Sequence, residues 1–104
     1  MLPKGFSCNG MHSGIAKDKN KKDLALFFSS VPAVVAGMFT GSLVKAAPVL
    51  TDIARLKKYK SFQAVIANSG CANACTGQRG KKDAEYISRE TANNLNISSN
   101  AVLV

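Results

Sequence analysis

The spacing of apolar residues changes period near Lys45, and that change limits the chain to folds that combine strands with helices. Before it, Leu24-Ala25-Leu26-Phe27-Phe28 and Val34-Val35-Ala36-Gly37-Met38-Phe39 are short apolar runs separated by Ser29-Ser30-Val31-Pro32. They predict two buried strands joined by a tight connection. Gly5 to Ile15 reads as an irregular opening strand that leads into a lysine-rich turn. After Lys45 the period becomes helical. Pro48 suits a first helical turn, where its missing N–H costs nothing. Leu50, Ile53, Ala54 and Leu56 then recur on one face, and basic residues end the segment where they complement the helix dipole. Phe62 to Ala67 predicts a third buried strand, stopped by the turn formers Asn68-Ser69-Gly70. A second helix is expected over Lys82–Leu95, with Ala84, Ile87, Thr91 and Leu95 on one face, and a last strand over Ala101–Val104. The fold class is therefore mixed α/β. With no internal repeat and no linker, residues 1–104 read as a single unit.

Composition removes several classes. Apolar residues make up 46% of the 104 residues, charged residues only 19%, and there are 8 glycines and 3 prolines. This excludes a disordered tail, a collagen-like fibre and a long coiled coil. The longest apolar run, Val31 to Phe39, is broken by Pro32 and Gly37 and falls well short of the roughly 20 residues that span a bilayer. No secretory signal is visible at the start, so the expected compartment is the cytoplasm, with no membrane partner.

A net charge of +8 raises nucleic acid as a partner. The charge lies in three clusters: Lys17, Lys19, Lys21 and Lys22; Lys57, Lys58 and Lys60; and Arg79, Lys81 and Lys82. None has interleaved aromatics for base stacking. A stand-alone basic nucleic-acid-binding module is the alternative function, and solvated patches are the simpler reading.

Two further motifs lack the residues or spacing that their chemistry requires. Cys8, His12, Cys71 and Cys75 would supply a Cys3His zinc set, which makes a small metal-binding protein a third class. Neither pair sits on an evident knuckle, so no metal site is expected. The thiols are expected free and mostly buried, since three cysteines cannot pair off. Gly77-Gln78-Arg79-Gly80-Lys81-Lys82 is not a phosphate-binding Walker loop, because Cys75 and Lys82 stand where Gly and Ser or Thr are required. One histidine forms no nucleophilic triad that can be identified.

The segment richest in chemical content is the loop that leaves the third strand, Asn68-Ser69-Gly70-Cys71-Ala72-Asn73-Ala74-Cys75-Thr76-Gly77. Small residues with short polar groups let backbone approach a ligand and leave amides free to donate. They equally suit a packed turn in which asparagine side chains satisfy the backbone.

This run resembles Asn-Ser-Gly-Asn-Ala-Asn-Ala-Cys-Thr-Gly of the ornithine acetyltransferase family, the glutamate N-acetyltransferases of arginine biosynthesis. Pro3-Lys4-Gly5-Phe6, Ser13-Gly14-Ile15, Asp23-Leu24-Ala25-Leu26, Gly37-Met38-Phe39-Thr40, Val44-Lys45-Ala46-Ala47-Pro48-Val49 and Val102-Leu103-Val104 agree in order. Cys71 departs from the family's usual Asn. The resemblance implies part of a layered helix–sheet–sheet–helix sandwich and an enzyme that cleaves its own precursor before a threonine. That threonine takes acetyl from N-acetylornithine and gives it to glutamate. The family's oxyanion pair and nucleophile both follow the Val-Leu-Val segment. The chain thus reads as an amino-terminal portion that holds no catalytic residue, needs no cofactor and pairs with the remainder of its precursor. Asn68, Ser69, Gly70, Asn73, Cys75, Thr76 and Gly77 are the residues expected to bind substrate or to support those that do.

Overall fold

The computed structural model describes all residues from Met1 to Val104. In chain order the elements are β1 (Phe6–Met11), β2 (Leu24–Ala33), α1 (Ala47–Lys58), β3 (Phe62–Asn68), α2 (Gly77–Leu95), a short 3-10 turn (Ser99–Ala101) and β4 (Val102–Leu103). The strands form one sheet in the order β1-β2-β3-β4. β1 and β3 run antiparallel to β2, and β4 runs parallel to β3. The parallel pair is reached through α2, as a helical crossover requires.

Period 2 is clear in β3, where Phe62, Ala64 and Ile66 are buried while Val65 and Ala67 are exposed. The buried side carries the core. Ala64, Ile66, Ala92 and Val102 form its centre, with Leu24, Leu26, Phe28, Leu95 and Ile97 packed against it. Val102 is fully buried, which contributes about 1.5–3 kcal/mol for a side chain of this size. The other side of the sheet has no helix. Phe27 lies opposite both Cys8 and Val65, and Phe6, Phe27 and Val65 stay exposed there.

Both helices form, with local causes that match the sequence. Pro48 occupies the first turn of α1, and Arg55, Lys57 and Lys58 fill its last turn. α2 ends where Asn96 enters the left-handed region at φ 53°, its N–H donating back to the Ala92 and Asn93 carbonyls.

Several expectations are corrected. The opening strand is regular but shorter than Gly5–Ile15, and the last strand is only Val102–Leu103. Ser29-Ser30-Val31-Pro32 is not a tight connection. β2 continues through it, advancing from Phe28 to Ala33 while β3 moves only from Ala64 to Phe62. This bulge tolerates Pro32 because no ladder N–H is needed there. Val34–Phe39 is then no strand: it has no regular structure, and Val34 and Met38 are exposed. Its apolar residues have no partner strand left beside β2.

α2 begins at Gly77, ahead of the expected Lys82. Its buried stripe is Gly80, Ala84, Ser88 and Ala92, while Ile87 is exposed. α1 likewise buries Ala47, Thr51 and Asp52 and leaves Leu50 exposed. In both cases small or polar side chains face inward because they bond or approach closely there. Thr51 donates to the Ala47 carbonyl at 3.0 Å and Ser88 to that of Ala84 at 2.9 Å.

Candidate functional site

The loop between β3 and α2 is organised by Asn73. Its carboxamide nitrogen donates to the Gly80 carbonyl at 2.7 Å, its carboxamide oxygen accepts from the Thr76 hydroxyl, and its backbone carbonyl accepts the Ala47 N–H at 3.3 Å. One residue thereby ties the loop to the start of both helices. The last bond also joins two of the blocks that carry the resemblance, 44–49 and 68–77. In the first turn of α2, Gly77 and Gly80 oppose the helix that Gln78 and Arg79 favour. The Asn73 bonds hold that turn closed.

Gly80 has to be glycine. A Cβ there would overlap the Thr76 hydroxyl and the Asn73 carboxamide oxygen. Cys75 and Gly77 take left-handed backbone at φ 56° and 58° on either side of Thr76. For the non-glycine Cys75 such a conformation stores strain that the surrounding bonds must offset.

The strand-proximal half of the loop is fixed from the opposite side. The Ser69 N–H donates to the Asp23 carbonyl at 2.9 Å, and Gly70, at φ 95°, lies against Ile15. Asn68 donates its side chain to the Cys71 carbonyl at 3.2 Å. Cys71, the departure from the family run, therefore acts through its backbone, and its side chain is exposed.

Asp23 anchors this side, and sequence reasoning did not single it out. Its side chain is hidden from solvent. Oδ2 accepts the Ala16 N–H at 2.7 Å, and Oδ1 accepts the Ser13 N–H at 2.6 Å and the Ser13 hydroxyl at 2.8 Å. The Ala16 N–H first, and Ser13 next, hold the carboxyl well below the usual carboxylate range despite burial. His12 Nδ1 lies 3.0 Å from the Lys21 carbonyl and 3.3 Å from Asp23 Oδ2. Two acceptors at one nitrogen mean that Nδ1 carries the proton. The visible signal was an acid at the end of a lysine-rich turn, which spacing alone does not distinguish from a solvated charge.

All seven residues singled out in the sequence fall on this one loop or at its edges, and all but the half-buried Asn73 are exposed. Asn68 and Asn73 do satisfy local backbone, whereas the other short polar groups remain at the surface. Cys8, Cys71 and Cys75 are free and exposed, contrary to the burial expected of them. Cys8 is exposed because it points to the uncovered sheet face, and the other two lie on the loop. No three His, Cys, Asp or Glu side chains converge on a common point. No helix is long and apolar enough to cross a membrane.

A mixed sheet backed by helices on one side, with a small-residue loop at the carboxyl end of a central strand, defines one layer of an α/β protein. The family model described as the ArgJ family matches residues 7–104, and the chain belongs to that family. It is 48% identical over 103 residues to the arginine biosynthesis bifunctional protein ArgJ of Caldanaerobacter subterraneus subsp. tengcongensis. It is 46% identical over 104 residues to the ArgJ of Thermotoga neapolitana. These matches take in 99% of this chain but only 25% and 26% of those proteins, so the chain spans about a quarter of their length. Among solved structures, the Bacillus halodurans ArgJ superposes with a TM-score of 0.91 at 39% identity, over 97% of this chain and 52% of that one. The Mycobacterium tuberculosis ornithine acetyltransferase, solved with ornithine, gives the same TM-score and identity over 98% of this chain and 55% of that one.

Proposed function

We propose that this chain is the amino-terminal unit of a cytoplasmic glutamate N-acetyltransferase that moves acetyl from N-acetylornithine to glutamate in arginine biosynthesis. In this reading the nucleophilic threonine and its oxyanion donors are encoded beyond residue 104. The threonine hydroxyl attacks the acetyl carbonyl of N-acetylornithine, giving a threonine ester and releasing ornithine. The glutamate amine then attacks the ester, and the hydroxyl is regenerated. The remainder of the precursor, cleaved into two chains, completes the assembly.

The role of residues 1–104 is to supply a helix-backed sheet and the loop at its end. Asn68, Ser69, Gly70, Asn73, Cys75, Thr76 and Gly77 bind substrate or hold the groups that do. The observation that carries the reading is the loop run, which matches the family at every position but Cys71 and is tied through Asn73 to the block at 44–49, in a chain that closely resembles an ornithine-bound acetyltransferase. The uncovered sheet face around Phe6, Phe27 and Val65 supports it too, because a second sheet stacked there would complete the sandwich.

The test is an assay of acetyl transfer from N-acetylornithine to glutamate by the full-length protein, beside residues 1–104 alone. Transfer by the full-length protein and none by the short chain is the expected pair of results. Turnover by residues 1–104 above a heat-killed control, or none by the full-length protein, would overturn the proposal.

A further inference from the structure

A groove of about 510 Å³ lies between α1 and α2. Its volume falls within the range of small-molecule sites, which is roughly 300–1,000 Å³. Arg55, Lys58, Lys81 and Arg89 line it, with Glu85 as the only acid, and Ser99 and Asn100 add short polar groups. Arg89 is partly occupied, with Glu90 at 3.9 Å and the Tyr86 ring beneath it.

Arg55 is the informative member. Its Nη1 donates to the Ser88 hydroxyl at 2.7 Å and to the Val102 carbonyl, so the guanidinium is held in place by two other elements. Nε and Nη2 have no protein acceptor, and the side chain has no ion-pair partner although it is half-buried. Burial draws its pKa down, and Asp52 and Glu85 counter this only from a distance. A fixed, partly desolvated cation with free donors, set among other cations, favours an anion.

We infer that the α1–α2 groove binds a small molecule carrying two or more negative charges, phosphate or carboxylate. The immobilised fork of Arg55 supplies the directional hydrogen bonds. Lys58 and Lys81, one from each helix, supply mobile charge from the two walls.

The test is calorimetric titration of the full-length protein at low salt with pyrophosphate in one arm and citrate in the other. At least one should bind saturably with a Kd below about 1 mM. The double variant Lys58→Ala/Lys81→Ala should weaken binding by about tenfold or more. Lys17→Ala/Lys19→Ala, which removes equal charge from the β1–β2 connection, should leave binding unchanged. Binding in only one arm identifies the ligand's acidic group. No saturable binding in either arm, or equal behaviour of the two double variants, would overturn the inference.

Discussion

The Asn73 carboxamide donates to the Gly80 carbonyl at 2.7 Å, so the loop after β3 closes on the first turn of the helix that follows it. The contact is tight enough that a methyl group at residue 80 would occupy the space of the Asn73 and Thr76 side-chain oxygens. Gly80→Ala should therefore destabilise the full-length protein by about 1–3 kcal/mol, the cost of overpacking. Asn73→Ala should cost about 1 kcal/mol for the lost hydrogen bond. Urea unfolding measures both. A neutral Gly80→Ala would show that the first turn of α2 is loose.

Asp23 gives a dependence on acid. Its folded-state pKa is depressed, so its contribution is fully present above the ordinary carboxylate pKa of about 3.9 and fades as pH falls below it. Asp23→Asn should lower stability at pH 7 and flatten the profile in that acid range. It should also increase amide exchange at Ser13 and Ala16, whose N–H groups the Asp23 carboxylate receives, and leave Ser69 protected, because its N–H donates to the Asp23 backbone carbonyl. Unchanged protection at Ser13 and Ala16 would show that the carboxylate does not hold this turn.

Asp52 has the opposite sign. Burial pushes its carboxyl up to about 6, against the Val104 N–H at 3.1 Å and the charge of Arg55. Stability from this group is highest below about pH 4 and is lost as pH rises through about 6. After allowance for solvent screening at its partly open edge, the loss is roughly 1–2 kcal/mol. Asp52→Asn keeps an acceptor for Val104 and removes the charge. It should equal or exceed the parent in stability at pH 7 and lose the pH dependence between 4 and 7. Asp52→Leu should be worse than Asp52→Asn, because it orphans the Val104 N–H.

The thiols should all be reactive. Cys8, Cys71 and Cys75 are exposed, so a thiol reagent should titrate all three in residues 1–104 without denaturant. Elemental analysis should find no stoichiometric zinc. Zinc that disappears on replacing Cys8 or His12 would restore the metal-binding reading.

Residues 1–104 alone should unfold over a broad range or aggregate, because Phe6, Phe27 and Val65 expose an apolar sheet face. Co-expression with the downstream part should sharpen the transition. A cooperative monomeric transition of about 5–15 kcal/mol for the short chain would establish an autonomous domain.

By itself the sequence determined the class, both helices, the position of β3 and the loop that follows it. Each rests on a local cause: the period of apolar residues, Pro48 in a first turn, and turn formers at 68–70. Tertiary structure decided what those signals cannot encode. The sequence resemblance marked the loop, but only the fold shows Asn73 reaching Ala47 and Asp23 reaching Ser69, residues far apart along the chain. Val34–Phe39 is as apolar as a strand, yet β2 takes its place by running through a bulge to Ala33. The buried stripe of α2 is made of Gly, Ala and Ser, because close approach to Asn73, Arg55 and the sheet selects size ahead of hydrophobicity. Apolar periodicity records what leaves water, and it is blind to packing distance and to hydrogen bonds between distant segments.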